Sequence, residues 1–417
     1  MIKMSEWKEY KLEDISKVQT GPFGSQLHQS DYKKTGTPII TVEHLGENKI
    51  LHKNLPLVGK EDKERLSKYI LLEGDIVFSR VGSVDRRAFV GKSEDGWMFS
   101  GRCLRVRVNR NIVNPKFLSY YFGQENFKEY IRKIAVGATM PSINTSILNE
   151  VNLLIPDISY QREISDVLSS LDDKIDLLHR QNKTLEQIAE TLFRQWFVEE
   201  AEEGWEVEKL GEVAVVQNGY AFRSKDYVTY QEGHLEVLKM GHIAVGGGLR
   251  TNPKKDFVPR EEKLKKWTLN KNDIIMGMTD MKDNVVILGV PAIIDKSEKY
   301  VLNQRVARIY LKTNEKLLNC YLLYIQLNNK DFISTLQSKA NSGVQVNLST
   351  EEIRNCEILI PPMELQKDMG NTIADLFMKK DNNLMQIRTL TKLRDSLLPK
   401  LMSGEVRVNE NNNNLYK

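Results

Sequence analysis

At 417 residues, with 41% hydrophobic and 28% charged side chains, the chain has room for two or three domains that each bury their own core. No run approaches the ~20 apolar residues of a membrane span, and residues 1–10 carry no apolar signal core. Cys103, Cys320 and Cys356 are too few and too scattered for a disulfide framework or a cysteine metal site, so a reducing, cytoplasmic setting is expected.

The net charge of +4 is unevenly spread. Residues 1–156 hold 24 Lys/Arg against 18 Asp/Glu (+6), and residues 157–204 hold 5 against 12 (−7). Residues 205–361 hold 22 against 19 (+3), and residues 362–417 hold 9 against 7 (+2). Two large basic segments attract phosphate backbones, whereas an acidic one faces solvent or a basic partner.

In chain order, residues 37–42, 75–79, 103–108 and 151–155 are short β-branched runs bounded by Gly, Asn or Pro, the pattern of strands. One helix is expected in this first segment, opening at Asn114-Pro115 and carrying Phe117, Leu118, Tyr121 and Phe122. After Pro156 the periodicity changes. Ile164, Leu168, Leu171, Ile175, Leu178, Asn182, Leu185, Ala189, Leu192 and Trp196 alternate by four and three, a heptad seam with no Gly or Pro between Ser159 and Val198. About 40 residues at ~1.5 Å each make a rod of roughly 60 Å, closed by Gly204.

Strands are expected again at 235–240, 273–276, 306–311 and 357–360, with a helix near 317–327. From Glu364 to Met402 a second seam keeps Ile373, Leu376, Ile387, Leu390, Leu397 and Leu401, but carries Lys380, Asn383 and Arg394 on the equivalent line. Asn182 and Asn383 are read either as register devices or as polar residues tolerated near a helix midpoint. The leucine seam itself reads most simply as an intramolecular core. Trp196 and Phe197 exceed what a two-helix seam needs; they form a docking surface or cap the packing of a module.

The two halves repeat. Trp7, Leu12, Gln19, Gly21, His44 and Asp75 recur 198 residues later as Trp205, Leu210, Gln217, Gly219, His242 and Asp273. At a shift of 205, Ile155-Pro156, Gln161, Thr184-Leu185 and Leu192 match Ile360-Pro361, Gln366, Thr389-Leu390 and Leu397. Such a period is far longer than the roughly 20–50 residues of solenoid repeats; it marks a duplicated domain-plus-helix. The expected domains are 1–156, helix 157–204, 205–361, helix 362–404, and a disordered low-complexity tail at 405–417. Because Gly404-Glu405-Val406 resembles Gly204-Trp205-Glu206-Val207, the end of the second helix is expected near the start of the first module.

Catalytic patterns are missing. Gly91-Lys92-Ser93 lacks the upstream glycine of a phosphate loop, that position being Arg86. Gly246-Gly247-Gly248 reads as a turn, and Pro361-Pro362-Met363 lacks the flanking residues of an adenine methyltransferase motif. His28, His44, His52, His179, His234 and His242 show no metal-ligand spacing, and His44 and His242 read as structural. A recognition protein or scaffold is expected, with no catalytic residue and no metal.

Two ~150-residue modules, each followed by a ~40-residue heptad helix, resemble the specificity subunit of type I restriction–modification enzymes. The strings that carry the likeness are Gln19-Thr20-Gly21-Pro22-Phe23-Gly24-Ser25, residues 73–83, Asn272-Asp273-Ile274-Ile275 and Asn303-Gln304-Arg305-Val306. Ile155-Pro156 before Gln161-Arg162-Glu163-Ile164, echoed by Ile360-Pro361-Pro362 before Gln366, completes it. The resemblance implies an α+β chain. Two similar mixed α/β target-recognition domains would be joined by two long helices in an antiparallel coiled coil with pseudo-twofold symmetry. Each domain would read one half of a bipartite, asymmetric site in double-stranded DNA, and the coiled coil would set the gap. Two methyltransferase subunits and restriction/translocase subunits are the implied partners, with S-adenosylmethionine, ATP and Mg on them and no cofactor on this chain.

Candidate DNA contacts in the first module are Ser79, Arg80, Gly82, Ser83, Arg86 and Arg87, where arginine reads guanine and serine or backbone amides hold phosphate; a solvated turn with a structural arginine is the alternative. Thr139 and Ser142 lie before the module's last strand. The second-module counterparts are Thr279, Lys282, Gln345 and Asn347, the last two suited to adenine, although Ser142 or Asn347 can equally cap a helix. Lys33, Lys34, Lys254 and Lys255 are steering charges or plain surface. Arg102 and Arg305 flank strands in both copies, which favours a structural or partner role over base reading. The rival from another class is a duplicated coiled-coil scaffold that binds no DNA; an enzyme with an unfamiliar site is a third.

Overall fold

The first and last strands of each module pair with one another, and this is why the opening Trp and closing Ile-Pro recur together. Lys8–Lys11 runs antiparallel to Asn152–Ile155, and Glu206–Lys209 to Glu357–Ile360. The architecture is that of a computed structural model, which describes residues 7–24, 26–201, 205–250, 253–281, 285–312, 316–317, 319–342 and 345–408.

Each module is built on a four-stranded antiparallel sheet with the same strand order. In the first it is Ser16–Thr20, Cys103–Val108, Ile76–Ser79, Arg87–Phe89; in the second, Ala214–Asn218, Val306–Leu311, Ile274–Gly277, Pro291–Ile293. The central strand Ile76–Ser79 is buried on both faces, which accounts for its unbroken apolar run. Ile76 and Phe78 face a core shared with helices, and Val77 faces a second core with Ile39, Ile40 and Phe99. Ile274 and Met276 against Ile275 repeat this division. The recurring glycine has a steric cause: a Cβ on Gly21 would lie 2.2 Å from the carbonyl oxygen of Ser100, and one on Gly219 would lie 2.2 Å from that of Asn303.

Among the described residues each module carries three α-helices after its main sheet, where the sequence pattern leads to one. Asn114 caps Pro115–Tyr121 and Asn319 caps Cys320–Leu327, as their N-cap chemistry requires. The additional Glu125–Ile134 buries only Phe127 and Ile131, and Lys330–Lys339 only Leu336, too few apolar positions to announce a helix. Thr145–Asn149 and Thr350–Arg354 are single turns.

The two long helices are Ile158–Arg194, extended by a π-helical turn at Gln195–Glu199, and Met363–Met402. Each leaves its module through a buried glutamine. Gln161 donates through Nε2 to the carbonyls of Ile112 (3.1 Å) and Pro156 (2.8 Å) and accepts the backbone N–H of Asn114 at 2.9 Å. Gln366 likewise donates to the carbonyls of Lys316 (2.7 Å) and Pro361 (2.8 Å).

The chain divides into two compact units, residues up to Asp176 with those from Ile387 on, and Leu177–Gln386. These units cut across the domain limits drawn from sequence, because each takes one module together with half of each long helix. Within each unit the helix segments run antiparallel. In the first, Asp172 meets Arg394 and Tyr160 donates to the carbonyl of Val406; in the second, Asn182 meets Asn383 and Glu186 meets Lys380.

The seam residues all turn inward. Ile164, Leu168, Ile175, Leu178, Asn182, Leu185, Ile373 and Ile387 are buried, and Leu171, Leu192, Leu376, Leu390 and Leu397 are half-buried. The polar residues that weakened the second seam each find a partner on the first helix: Lys380 with Glu186 (2.6 Å), Asn383 with Asn182 (2.9 Å) and Arg394 with Asp172 (2.7 Å). Phe197 packs into the second module's core, stacked on Phe193 and edge-on to Trp205, so the π turn caps module packing.

The junction between module and helices differs between the units. In the first, the Tyr120 hydroxyl donates to Asp172 (2.6 Å), which also accepts from Arg394. Burial, then the bond to Asp172, pushes the Tyr120 phenol well above its ordinary pKa. Burial alone would lower Arg394, but its bonds to Asp172 and Asp395 raise it instead. At the repeat-equivalent positions of the second unit stand Ile325, Phe377 and Ala189, all buried in one apolar core. Residues 405–408 do not hang free: Val406 and Val408 pack on the first unit's core, and Gly404 lies beside Trp7. Residues 409–417 of the expected tail, and Gly204, lie outside the described residues.

Replacing Gln161 with Leu strands an N–H and two carbonyls and is expected to lower stability by at least about 2 kcal/mol; urea unfolding of the full chain reads this as earlier loss of the first unit. Tyr120→Phe should cost about 1.5 kcal/mol through the lost charge-assisted bond. Asp172→Ala should cost about 2 kcal/mol, because it removes the acceptor of the Tyr120 hydroxyl and one of the two carboxylates paired with Arg394. Amide exchange confined to the first unit is the expected signature, and a Tyr120→Phe chain as protected as the parent would exclude the phenol from the junction's energetics.

Candidate nucleic-acid interface

The central strand Ile76–Ser79 delivers the chain into the loop 80–86, and the loop is closed on itself before it meets anything else. The Ser79 N–H donates to the carbonyl of Arg86 (2.9 Å), and the Ser79 hydroxyl donates to that of Val81 (2.9 Å). A second segment then lies against it. Val81 bridges Ser142, the Gly82 N–H donates to the carbonyl of Pro141 (2.8 Å), and the Ile143 N–H donates to that of Arg80 (2.9 Å). Val136 and Ser142 exchange both backbone bonds, turning residues 136–142 into a hairpin. The two stretches nominated from sequence, 79–87 and 137–142, are therefore one hydrogen-bonded platform.

The second module repeats the platform as a small sheet. Thr279–Met281 pairs with Gln345–Asn347, which pairs with Asn341–Ser342. The registers correspond: Val81–Ser142–Val136 in one copy matches Thr279–Asn347–Asn341 in the other.

On this common backbone the side chains divide into framework and surface. Ser79 and Arg87 are buried. Arg87 donates to the carbonyl of Ser119 (2.9 Å) and pairs with Glu47 (2.8 Å), and burial opposed by that arginine leaves the Glu47 carboxyl below its usual range. Arg86 donates to the carbonyl of Leu45. Arg80 is half-buried, donating to the carbonyl of Gly101 (3.1 Å) with its guanidinium 5.6 Å from the ring of Phe23, which is 56% exposed. Gly82, Ser83, Thr139 and Met140 are exposed, and Ser142 is half-buried. Gly82 has a positive φ of 77° and open space above it.

In the second module, the Thr279 hydroxyl rests on the Met240 sulfur (2.7 Å). Asp280 accepts from the N–H groups of Val286 (2.7 Å) and Ile287 (2.6 Å), which closes the return of the loop. Asn347 is exposed; Gln345 is placed by its backbone pairing alone, and Lys282 lies outside the described residues. Helix capping is carried by Asn144 and Ser349, two residues beyond Ser142 and Asn347, so those two are not the caps. Lys33, Lys34, Lys254 and Lys255 are all exposed.

Sequence reasoning set Arg102 and Arg305 aside, and the structure brings them to the platform's edge. The carbonyl of Arg102 accepts from the N–H of Arg80 (2.8 Å), and that of Arg305 from the N–H of Met278 (3.0 Å). Both are exposed. The matching strand registers, Ser79 opposite Cys103 and Gly277 opposite Val306, were the available signal, at a repeat shift of 203 that neither larger block of matches displays.

The remaining suspects are structural. His44 accepts the N–H of Thr41 at Nδ1 (3.0 Å), and His242 accepts that of Lys239 (3.2 Å); both rings are buried. The Gly91 N–H already donates to the Glu94 carboxylate (2.8 Å) and is not offered to a phosphate. Among the described residues no His/Cys/Asp/Glu cluster suits a metal, and no helix is long and apolar enough to cross a membrane.

Comparison with known proteins places the chain. The model of the type I restriction modification DNA specificity domain matches twice, at residues 4–187 and 202–392. The specificity subunit of the type I restriction enzyme MjaIX of Methanocaldococcus jannaschii is 25% identical, over 97% of this chain and 94% of its own length. That of HindI of Haemophilus influenzae is 26% identical, over 97% of this chain and 100% of its own. In fold, the chain resembles the crystal structure of the type I system S subunit from M. genitalium, with a TM-score of 0.61 at 16% identity over 95% of this chain and 96% of that one. A duplicated module and a family model matched in both copies lead to one conclusion: the chain belongs to the specificity-subunit family of type I restriction–modification systems, the non-catalytic recognition subunits.

Proposed function

We propose that this specificity subunit reads a bipartite, asymmetric site in double-stranded DNA, one half-site per module, with the long helices fixing the gap between them. The observation that carries this reading is the platform itself. Two copies share one backbone hydrogen-bond scheme yet carry different side chains, Arg80, Gly82, Ser83, Thr139 and Ser142 in one and Thr279 and Asn347 in the other. Base edges are distinguished by donor and acceptor pattern, so two different half-sites call for two different sets of side chains on equivalent frames.

Two methyltransferase subunits dock on the frame in this reading, carrying S-adenosylmethionine. Separate restriction/translocase subunits use ATP and Mg, and the complex acts in the cytoplasm. The module surfaces, at +6 and +3 by segment, suit DNA, while the −7 of residues 157–204 suits a protein partner.

An adenine-methylation map of the host with and without the gene tests the reading. One split motif with a fixed gap is expected to lose methylation on deletion. No change in any motif, with methyltransferase partners expressed and active, would leave a scaffold that binds no DNA as the better account. Inserting seven residues into both long helices, between Asp176 and Leu177 and between Gln386 and Ile387, lengthens each by about 10 Å. The mapped motif should then keep both half-sites and widen its gap by about three base pairs, at 3.4 Å each. An unchanged gap would show that the helices do not set it.

A further inference from the structure

The two modules differ in nearly every side chain that faces outward from the platform, but one charge is held in common. Strand register makes Arg102 and Arg305 equivalent, each one residue before the strand that pairs with the platform's own strand. Each is fixed through its backbone. The Arg102 carbonyl receives the Arg80 N–H, and the turn before it is wedged against the chain, a Cβ on Gly101 falling 2.3 Å from the Pro22 carbonyl oxygen. The Arg305 carbonyl receives the Met278 N–H, and its own N–H donates to Asn303 Oδ1 (3.3 Å).

The side chains are another matter. Every other arginine of the first module is engaged by its own protein: Arg65 by Asp62, Arg80 by Gly101, Arg86 by Leu45, Arg87 by Glu47, Arg105 by Ile70, Arg107 by Asp75, Arg110 by Glu73 and Arg132 by Asp85. The guanidinium groups of Arg102 and Arg305 have no polar partner among the described residues, and both are exposed. The fold thus holds the Cα rigidly at the platform's edge and leaves the charge free.

We propose that Arg102 and Arg305 are a matched pair of DNA-phosphate contacts, one per half-site, that anchor each module without reading sequence. The inference rests on the DNA reading above and deepens it. What a recognition module shares with its diverged copy must serve what their targets share, and two different half-sites share only the sugar-phosphate backbone. An exposed, unpaired guanidinium suits that target, since it can meet two phosphate oxygens at once and gives up no internal bond to do so. Base reading is left to groups that differ between the copies.

The test uses the full-length chain with a fluorescent duplex bearing the mapped motif and a scrambled duplex of equal length, titrated between about 50 and 200 mM salt. Arg102→Ala and Arg305→Ala are each expected to lower the slope of log affinity against log salt by about 0.9. Both duplexes should weaken by one common factor, the methylated motif should stay unchanged in cells, and Arg102→Lys and Arg305→Lys should restore the slope. Arg80→Ala is the contrast: it should relax one half-site.

Three results would overturn the assignment. They are a slope unchanged in the double alanine variant, a loss confined to the motif duplex, which would make these base-reading residues, and intact DNA binding with lost methyltransferase association, which would make them a protein contact. If the parent chain binds neither duplex, the DNA reading itself fails and this inference goes with it.

Discussion

Everything outward on this molecule depends on a buried amide. Gln161 and Gln366 are the fourth residues of the long helices, at 0% and 1% exposure. Each ties its helix to main-chain carbonyls at the end of its module's last strand and in the loop after the main sheet, Pro156 and Ile112 or Pro361 and Lys316. A primary amide is suited to this because it donates and accepts in one plane, and its bonds go to backbone that is present whatever the neighbouring side chains are. The strand before it is pinned as well, since Asn152–Ile155 and Glu357–Ile360 each pair with the opening strand of their module. The direction in which each helix leaves is therefore set by groups that loop divergence does not touch. A module can change what its loops present and still hand on the same helix.

The second constraint is that the copies are alike without being interchangeable. At the place where module meets helices, one unit has Tyr120, Asp172 and Arg394 bonded together, and the other has Ile325, Phe377 and Ala189 in an apolar cluster. Either solution closes a junction. Mixing them does not, because Arg394 set against Phe377 would keep Asp395 on its own helix but lose its bond to the facing one. Lys380 with Glu186 and Asn383 with Asn182 add polar matches that a slipped pairing would break. A seam of leucines alone would be stronger and would accept more partners.

Much of this was legible in the residues. The repeat fixed the equivalence of the modules, and the strands at 103–108, 306–311 and 357–360 follow their β-branched runs residue for residue. The two nominated loop stretches of the first module meet, and it is the fold that brings them together. The sequence did not say which arginine of Arg86-Arg87 would face inward, and both do. Their acceptors, at Leu45, Glu47 and Ser119, are more than thirty positions away along the chain and adjacent only in the folded sheet. The same lack of distance information leaves Arg102 and Arg305 with a structural or partner role when only the sequence is read. Their backbones are framework, and only the fold shows that their side chains are not. The partners of Lys380 and Arg394 in the second helix are hidden from the sequence for a like reason, since they lie on the other helix and become neighbours only once the antiparallel register is known.

The platform explains how such a protein can change its chemistry and keep its shape. Its bonds are main chain to main chain, Val81 with Ser142 and Val136 with Ser142 in one copy, and the strand ladder from Thr279 through Asn347 to Asn341 in the other. Substitution at Ser83, Thr139 or Asn347 removes no bond from that scheme, because these side chains are exposed and the scheme belongs to the backbone. The platform sits on a strand buried on both faces, so the loop inherits the rigidity of a core rather than the mobility of a surface segment. Stability is thus held in one set of atoms and surface chemistry in another. That separation lets two copies of one fold carry different side chains on one frame within a single chain.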